Sequence, residues 1–593
     1  MKNRNDVNES LKWSIDEMFT EASFDALIKT VKVQIKELTT YKGKLSLDGD
    51  ILSVVLKLRD ELELNLADLF TYSHMKLDEN TKNTTSQTRF ERASAVAIEA
   101  AAAVSFIEPE LLGLDAAGLL EKVKSETALS DYDHMIDNLI RQQEHVLTPE
   151  AEQLIAMFGD VQGAAQAIFG MLDNADITYE DVTMPNGDIE PLTKGGYIKF
   201  MEDADQEVRK AAFVNFYKSY EALKNTIAST YTSSVKKDIA LSKIRGYDSA
   251  VQMSLDSDNI EVAVYDNLVA AINEKVDLMH RYVGLRKKML GVEELHIYDV
   301  YAPLVAEAKR EIPFDEAYEM VLEGLKPLGR EYEKLLLEAR DNRWIDVYET
   351  EGKRGGAYSW GTYRSKPYIL LNYQNNLNDV FTLAHELGHS LHSHFSNKAQ
   401  PSVKSGYSLF VAEVASTVNE AIMMRYLLEH TTEREERLFL LNHFMEQFKG
   451  TVFRQTMFAE FEKKAYEAFE QDNPLSVDDL SKMYFDLNKT YFGPEMILDD
   501  AIKYEWMRIP HFYNAFYVYK YATGFSAAMA ISKRILDGTE GALEGYFEFL
   551  KSGGSVYPLD ALKLAGVDMS EPGAIIEALS VFDEVLDEFE ALV

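Results

Sequence analysis

The sequence predicts a mainly α-helical protein of two or more lobes, and three observations carry that prediction. The chain has 593 residues, more than a single small core can organise. Long segments repeat apolar residues at helical spacing, among them ILSVVLKLRDELELNLADLF from Ile51 and the alanine-rich run around Ala97 to Val104 that leads into EPELLGL. Strand signals, by contrast, are few and short.

Taken in order, the first residues, MKNRNDVNESLKWSIDEMF, carry charge without the apolar run of a secretory signal. No uninterrupted apolar stretch reaches bilayer-spanning length, so a cytoplasmic protein with no membrane partner is expected. An amino-terminal helical region is assigned to 1–110 and a second helical segment to 111–195. The latter closes in a β-hairpin, ITYEDVTMPNGDIEPLT, whose Pro185-Asn186-Gly187-Asp188 supplies the turn. After Lys194-Gly195-Gly196 long helices resume with DQEVRKAAFVNFYKSYEALKNTIASTY, which places a boundary near Gly195 and gives 196–593 to one large domain. Within it a second β-rich stretch runs from Trp344 through Gly355-Gly356 to PYILLNY, Pro367 to Tyr373.

Composition narrows the chemistry. The absence of cysteine removes disulfides, thiol catalysis and thiolate metal ligands, leaving His, Asp and Glu for any metal. A net charge of -37, with its basic residues scattered, repels phosphate backbones, so nucleic acid is not an expected partner. The same acidity on helical surfaces reads as solubility. Nothing in the sequence fixes an oligomeric state.

The segment FTLAHELGHSLHSHF directly follows the second β-rich stretch. Ala384, Leu387, Leu391 and Phe395 keep helical spacing behind Asn378 and Asp379, residues that favour a helix start. His385 and His389, four apart, therefore point the same way and can share one metal ion, while Glu386 faces the adjacent water as a general base. A catalytic zinc needs a third protein ligand and one open position. The following apolar helix, SLFVAEVASTVNEAIMMRYLLEH, offers Glu413, with Glu420 as the alternative ligand; Ser416 and Glu420 lie on the Glu413 face as supporting groups. His392 and His394 read as structural, because a further helical turn carries His392 away from the pair.

HELGHSLH, with FVAEVAS at this separation, resembles the thimet oligopeptidase and oligoendopeptidase F family of zinc peptidases. DQEVRKAAFVNFY at Asp205 to Tyr217 and IPHFYNAFYVYKYATGFSAA from Ile509 to Ala528 are similar to further segments of the oligoendopeptidase F branch. The resemblance implies a two-lobed helical metallopeptidase with a deep substrate channel and a small β-sheet beside the zinc helix. It implies hydrolysis of internal bonds in unstructured oligopeptides with one zinc per chain. It assigns the metal ligands to His385, His389 and Glu413, the catalytic glutamate to Glu386, and a substrate-facing histidine to His511. Among Tyr513, Tyr517, Tyr519 and Tyr521 it favours Tyr517 for the oxyanion, although the glycine-rich loop that precedes these tyrosines in thimet-type members is absent here.

PYILLNY is expected to act as an edge strand that pairs with extended substrate backbone. Two other functions compete with this reading. A zinc carboxypeptidase would need a cation for the substrate's terminal carboxylate, with Arg364, Arg508 and Lys520 as candidates. A non-catalytic peptide-binding protein would have no use for the general base Glu386.

Overall fold

The computed structural model describes residues 3–305 and 310–593. The chain divides into two compact units that interleave in sequence. One comprises Met1–Gln143, Lys309–Leu427 and Ile531–Val567, and the other Glu144–Ala308, Leu428–Ala530 and Asp568–Val593. Gly195 thus lies inside the second unit.

Helices dominate both units. The expected amphipathic segment from Ile51 forms the helix Ile51–Asp78, and the alanine-rich run ends the helix Thr84–Val104. Together with Glu21–Thr39 these bury Phe24, Val31, Leu56, Leu62 and Val96 in one apolar cluster, which also takes in Tyr368 and Leu370. In the second unit the long helix Gln206–Ile244 starts at Asp205, whose side chain accepts the Glu207 N–H.

The described residues form seven short strands: β1 (Val182–Thr183), β2 (Ile189–Glu190), β3 (Leu295–His296), β4 (Ile345–Asp346), β5 (Tyr358–Trp360), β6 (Tyr368–Leu370) and β7 (Met496–Ile497). β1 and β2 are the expected antiparallel hairpin, with Gly187 at φ 87° in its turn, a backbone region that glycine enters without penalty. β3 and β7 pair in parallel.

The sheet that matters for the site is β4-β6-β5, and its order corrects the expectation for PYILLNY. β6 is the central strand, parallel to β4 and antiparallel to β5, with Tyr368, Ile369 and Leu370 all buried. A strand bonded on both sides has no edge to offer a peptide. Its continuous apolar run, without polar alternation, is what a fully buried strand requires. The β4 side is also covered: Val347 donates its N–H to Leu11 O at 3.1 Å, Ser14 donates to Arg343 O at 2.8 Å, and Arg4 pairs with Asp346. That leaves β5, for whose outer side no backbone hydrogen bond is found among the described residues.

Candidate metal centre

The helix Leu377–Ala399 carries the HELGH segment. Its cap is Asn376, two residues before the expected start, and Asp379 closes a capping box with it. Asn378 is already within the first turn. One face of this helix packs into the interior through Leu383, Ala384, Leu387 and Leu391, while His385 and His389 are only partly buried. β5 lies against the same helix, where Ser359 Oγ and Ser390 Oγ are 2.7 Å apart, next to His389. The small sheet therefore does flank the HELGH helix.

The facing helix, Leu409–His430, crosses at Gly388. A β carbon on Gly388 would stand 2.6 Å from Ser416 Cα and 2.8 Å from Ala415 O, so only glycine permits this approach. Asn419 locks the crossing: its Nδ2 donates to Ala384 O at 2.9 Å, and its Oδ1 accepts the Tyr332 hydroxyl at 2.8 Å.

The crossing brings three ligand atoms together. His385 Nε2 and His389 Nε2 are 3.1 Å apart, and Glu413 Oε2 is 3.3 Å from the first and 3.4 Å from the second. Bonds of about 2.0–2.1 Å in tetrahedral geometry separate ligands by about 3.3 Å, so the three atoms have the spacing of one face of a zinc tetrahedron. Glu413 was expected amid apolar neighbours, but it is exposed, projecting to solvent from a helix whose adjoining Val414, Ala415 and Ser416 are buried. Ser416 Oγ donates to Glu413 O at 2.9 Å and lies 3.3 Å from its carboxylate.

Glu420 belongs to a different shell. Its Oε1 accepts from His385 Nδ1 at 2.5 Å, on the far side of the ring from Nε2. A carboxylate there fixes the tautomer and orientation of a metal-binding imidazole. Burial pulls the His385 imidazole down, but its hydrogen bonds to Glu413 and Glu420 win and push it up to about 10. Hydrogen bonds from His385 and His389 outweigh burial at Glu413 and hold its carboxyl well below the usual range. Both shifts have the same cause, carboxylates gathered against two imidazoles, and that donor set suits a divalent cation.

Glu386 sits one position round the helix, 6% exposed, and its buried Oε2 has no hydrogen-bond partner among the described residues. Burial raises its pKa; His385 and His389 oppose the rise, while Glu413 and Glu420 add to it. A buried carboxylate oxygen without a partner is costly, and groups carrying such a cost cluster at functional sites.

The remaining predicted residues separate by environment. His392 is fully buried, stacked on Tyr407 at 3.8 Å, and burial pushes it down to about 3; His394 packs beside Trp344. Neither joins the metal group. In the second unit, His511, Tyr517 and Tyr521 form a partly exposed aromatic group: His511 and Tyr517 rings lie parallel at 6.1 Å, and Tyr521 Oη is 3.4 Å from His511 Nε2. Burial lowers the His511 pKa and so favours the neutral imidazole. Tyr519 is buried, and so is Tyr513, whose hydroxyl meets Thr230 Oγ1 at 2.7 Å.

Two features that support this segment were not anticipated. Glu462 Oε1 accepts the Phe516 N–H at 3.0 Å, and Phe516 has φ 55°, a left-handed conformation uncommon for a bulky residue. Glu505, held down to about 2 despite its burial by Arg454 and Arg508, anchors the chain just before His511. Glu462 stands in FAEFEKKAYEAF among Glu460, Lys463, Lys464 and Glu467, so nothing in the local sequence sets it apart from the solvated charges beside it.

Comparison with known proteins agrees with this architecture. A family model described as peptidase family M3 matches residues 199–581, and one described as oligopeptidase F matches residues 110–179. Oligopeptidase PepF of Bacillus subtilis is 44% identical over 593 residues, covering 100% of this chain and 88% of that protein. Group B oligopeptidase PepB of Streptococcus agalactiae is 37% identical over 592 residues, covering 100% of this chain and 98% of that protein. The crystal structure of oligoendopeptidase-F from Enterococcus faecium superposes with a TM-score of 0.74 at 37% identity, covering 97% of this chain and 99% of that one. A Chlamydophila abortus crystal structure reaches 0.95 at 31% identity, with both chains fully covered.

Proposed function

The chain belongs to peptidase family M3 and is a metalloendopeptidase, and from that premise we propose that it uses one zinc ion, held by His385, His389 and Glu413, to cut flexible oligopeptides. The spacing of those three ligand atoms is the observation that carries the proposal, because 3.1–3.4 Å suits a small tetrahedral cation with one position left open. When bound, zinc polarises a carbonyl and lowers the pKa of water.

The protein's own groups do the rest. Glu420 and Ser416 orient the ligands. Glu386, buried and unpaired, takes the proton of the attacking water as the carbon–oxygen bond forms, then delivers it to the amine nitrogen as the carbon–nitrogen bond breaks. The family resemblance assigns His511 and Tyr517 to hydrogen-bond the developing oxyanion, and Tyr521 lies beside both. An extended substrate adds to the outer side of β5, next to the HELGH helix, in place of the β6 edge that does not exist.

The carboxypeptidase alternative loses its candidate cations. Arg364 is engaged by Glu61 and Asn65, Arg508 by Glu505 and Tyr217, and Lys520 by Asp258. Digestion of peptides blocked at both ends, read by mass spectrometry, tests the assignment. Internal cuts are expected; cleavage only of peptides with a free carboxyl terminus would select the carboxypeptidase.

A further inference from the structure

The metal centre leaves one large apolar surface unexplained. The helices Pro149–Met157 and Gly159–Met171 follow one another through Phe158. Along them Leu154, Met157, Val161, Ile168 and Met171 recur at spacings of three, four or seven, which puts them in one stripe. Phe158 flanks it. Instead of being buried, these side chains are between 49% exposed at Ile168 and 74% exposed at Met157. Contrary to the expectation from the sequence, the stretch Pro149–Asp176, although interrupted by acidic residues, is long and apolar enough by length and composition to span a bilayer, with mean hydropathy 1.2 over its most apolar window, of which 11% is buried. A contiguous apolar face of this size left in water marks a binding surface.

We propose that this face docks the flexible flank of a peptide substrate, selecting apolar segments that carry positive charge. The inference rests on the peptidase reading and adds a substrate class to it. Charge decides among occupants. From Gln142 to Thr193 the sequence contains no Lys or Arg, while Glu150, Asp160 and Asp176 are exposed along the helices. Anionic lipid headgroups would meet like charge there, as would a second copy of a chain whose net charge is -37. A cationic apolar peptide meets opposite charge and buries the stripe.

The second of these helices also packs on the candidate catalytic segment in its own unit. Phe169, the buried residue of the second helix, stacks on Tyr513 with ring centroids 4.4 Å apart, and Tyr513 is two residues from His511. The helix that presents the stripe is thereby seated on the segment that presents His511. Two methionines in the stripe give it side chains that adapt to different partners, as a surface for varied sequences requires.

The test uses the full chain with Leu154→Gln, Met157→Gln and Val161→Gln combined; all three positions are exposed, so folding is preserved. In the inactive Glu386→Gln background, binding of a fluorescent, flexible, Leu- and Lys-rich peptide of about 20 residues should weaken about 10-fold, through lost apolar burial. A Leu- and Glu-rich counterpart should bind poorly to either form. In the active background, cleavage of a peptide of about seven residues that carries neither large apolar nor basic side chains, and so nothing for the stripe to recruit, should be unchanged. Unaltered affinity for the long cationic peptide would overturn the proposal. So would stripe-dependent binding to phosphatidylglycerol vesicles in preference to that peptide, or a stripe-dependent dimer in sedimentation. Failure of the peptidase reading shows separately, as an uncut short peptide beside an intact loss of long-peptide binding.

Discussion

Gly388 and Ser416 sit so close that a β carbon on the glycine would lie 2.6 Å from the serine Cα. This contact joins the helix that carries His385 and His389 to the helix that carries Glu413. The obstructing atoms are backbone, so no rotamer change relieves them. Gly388→Ala should therefore destabilise the protein by about 1–3 kcal/mol or more and weaken zinc binding as the helices separate. Thermal unfolding and a competitive zinc titration check both effects. A wild-type melting temperature with wild-type affinity would show that the crossing is not tight.

Glu420 orients His385 without reaching the ligand cluster. Glu420→Ala should lower zinc affinity about 10–100-fold while leaving one zinc per chain at saturation. Glu413→Ala should remove a ligand and lose the metal far more completely. Equal losses in the two variants, measured against a chromogenic chelator, would place Glu420 on the metal as well.

Substrate pairing on β5 has a signature of its own. In an edge ladder only alternate residues direct their backbone groups at the neighbouring strand. Methylating substrate amides one at a time should raise KM about fivefold at every second position, about 1 kcal/mol for each bond lost. A uniform response along the peptide would argue against strand addition.

Glu462 makes stability depend on pH. Burial pushes its carboxyl up to about 8 in the native protein, and Asp238 adds to the rise, against an ordinary value of 4.5. Between those values the native state holds a proton that the unfolded chain has released, so stability falls as pH rises through that window. The slope from this one group approaches about 1.4 kcal/mol per pH unit. Glu462→Gln keeps an acceptor for the Phe516 N–H and cannot ionise, so its urea midpoint should decline less between pH 5 and 8. Parallel pH profiles for the two proteins would refute this assignment.

Much of the site was legible because its chemistry is local in sequence. His385, Glu386 and His389 share one helical turn, and an amphipathic pattern suffices to orient them. Glu413 was found as a charged residue in an apolar helix, although its exposure depends on the crossing and could not be read from the sequence. The crossing is set by Gly388 and Asn419, whose roles exist only once the two helices meet. The β6 expectation failed for a related reason: an apolar run such as YILL marks a strand, but only the pairing partners decide whether it is central or at an edge. In the same way, Glu462 and Phe516 are 54 positions apart, beyond any periodicity argument.

The most direct test of the account is the turnover of Glu386→Gln at matched zinc content, on an oligopeptide blocked at both ends. The substitution preserves shape but removes the proton acceptor. The variant should hold one zinc per chain and cut the peptide at least about 100-fold more slowly than the parent, which should cleave it internally. Wild-type turnover by zinc-loaded Glu386→Gln would contradict the account, because the proton would then have to pass through some other group.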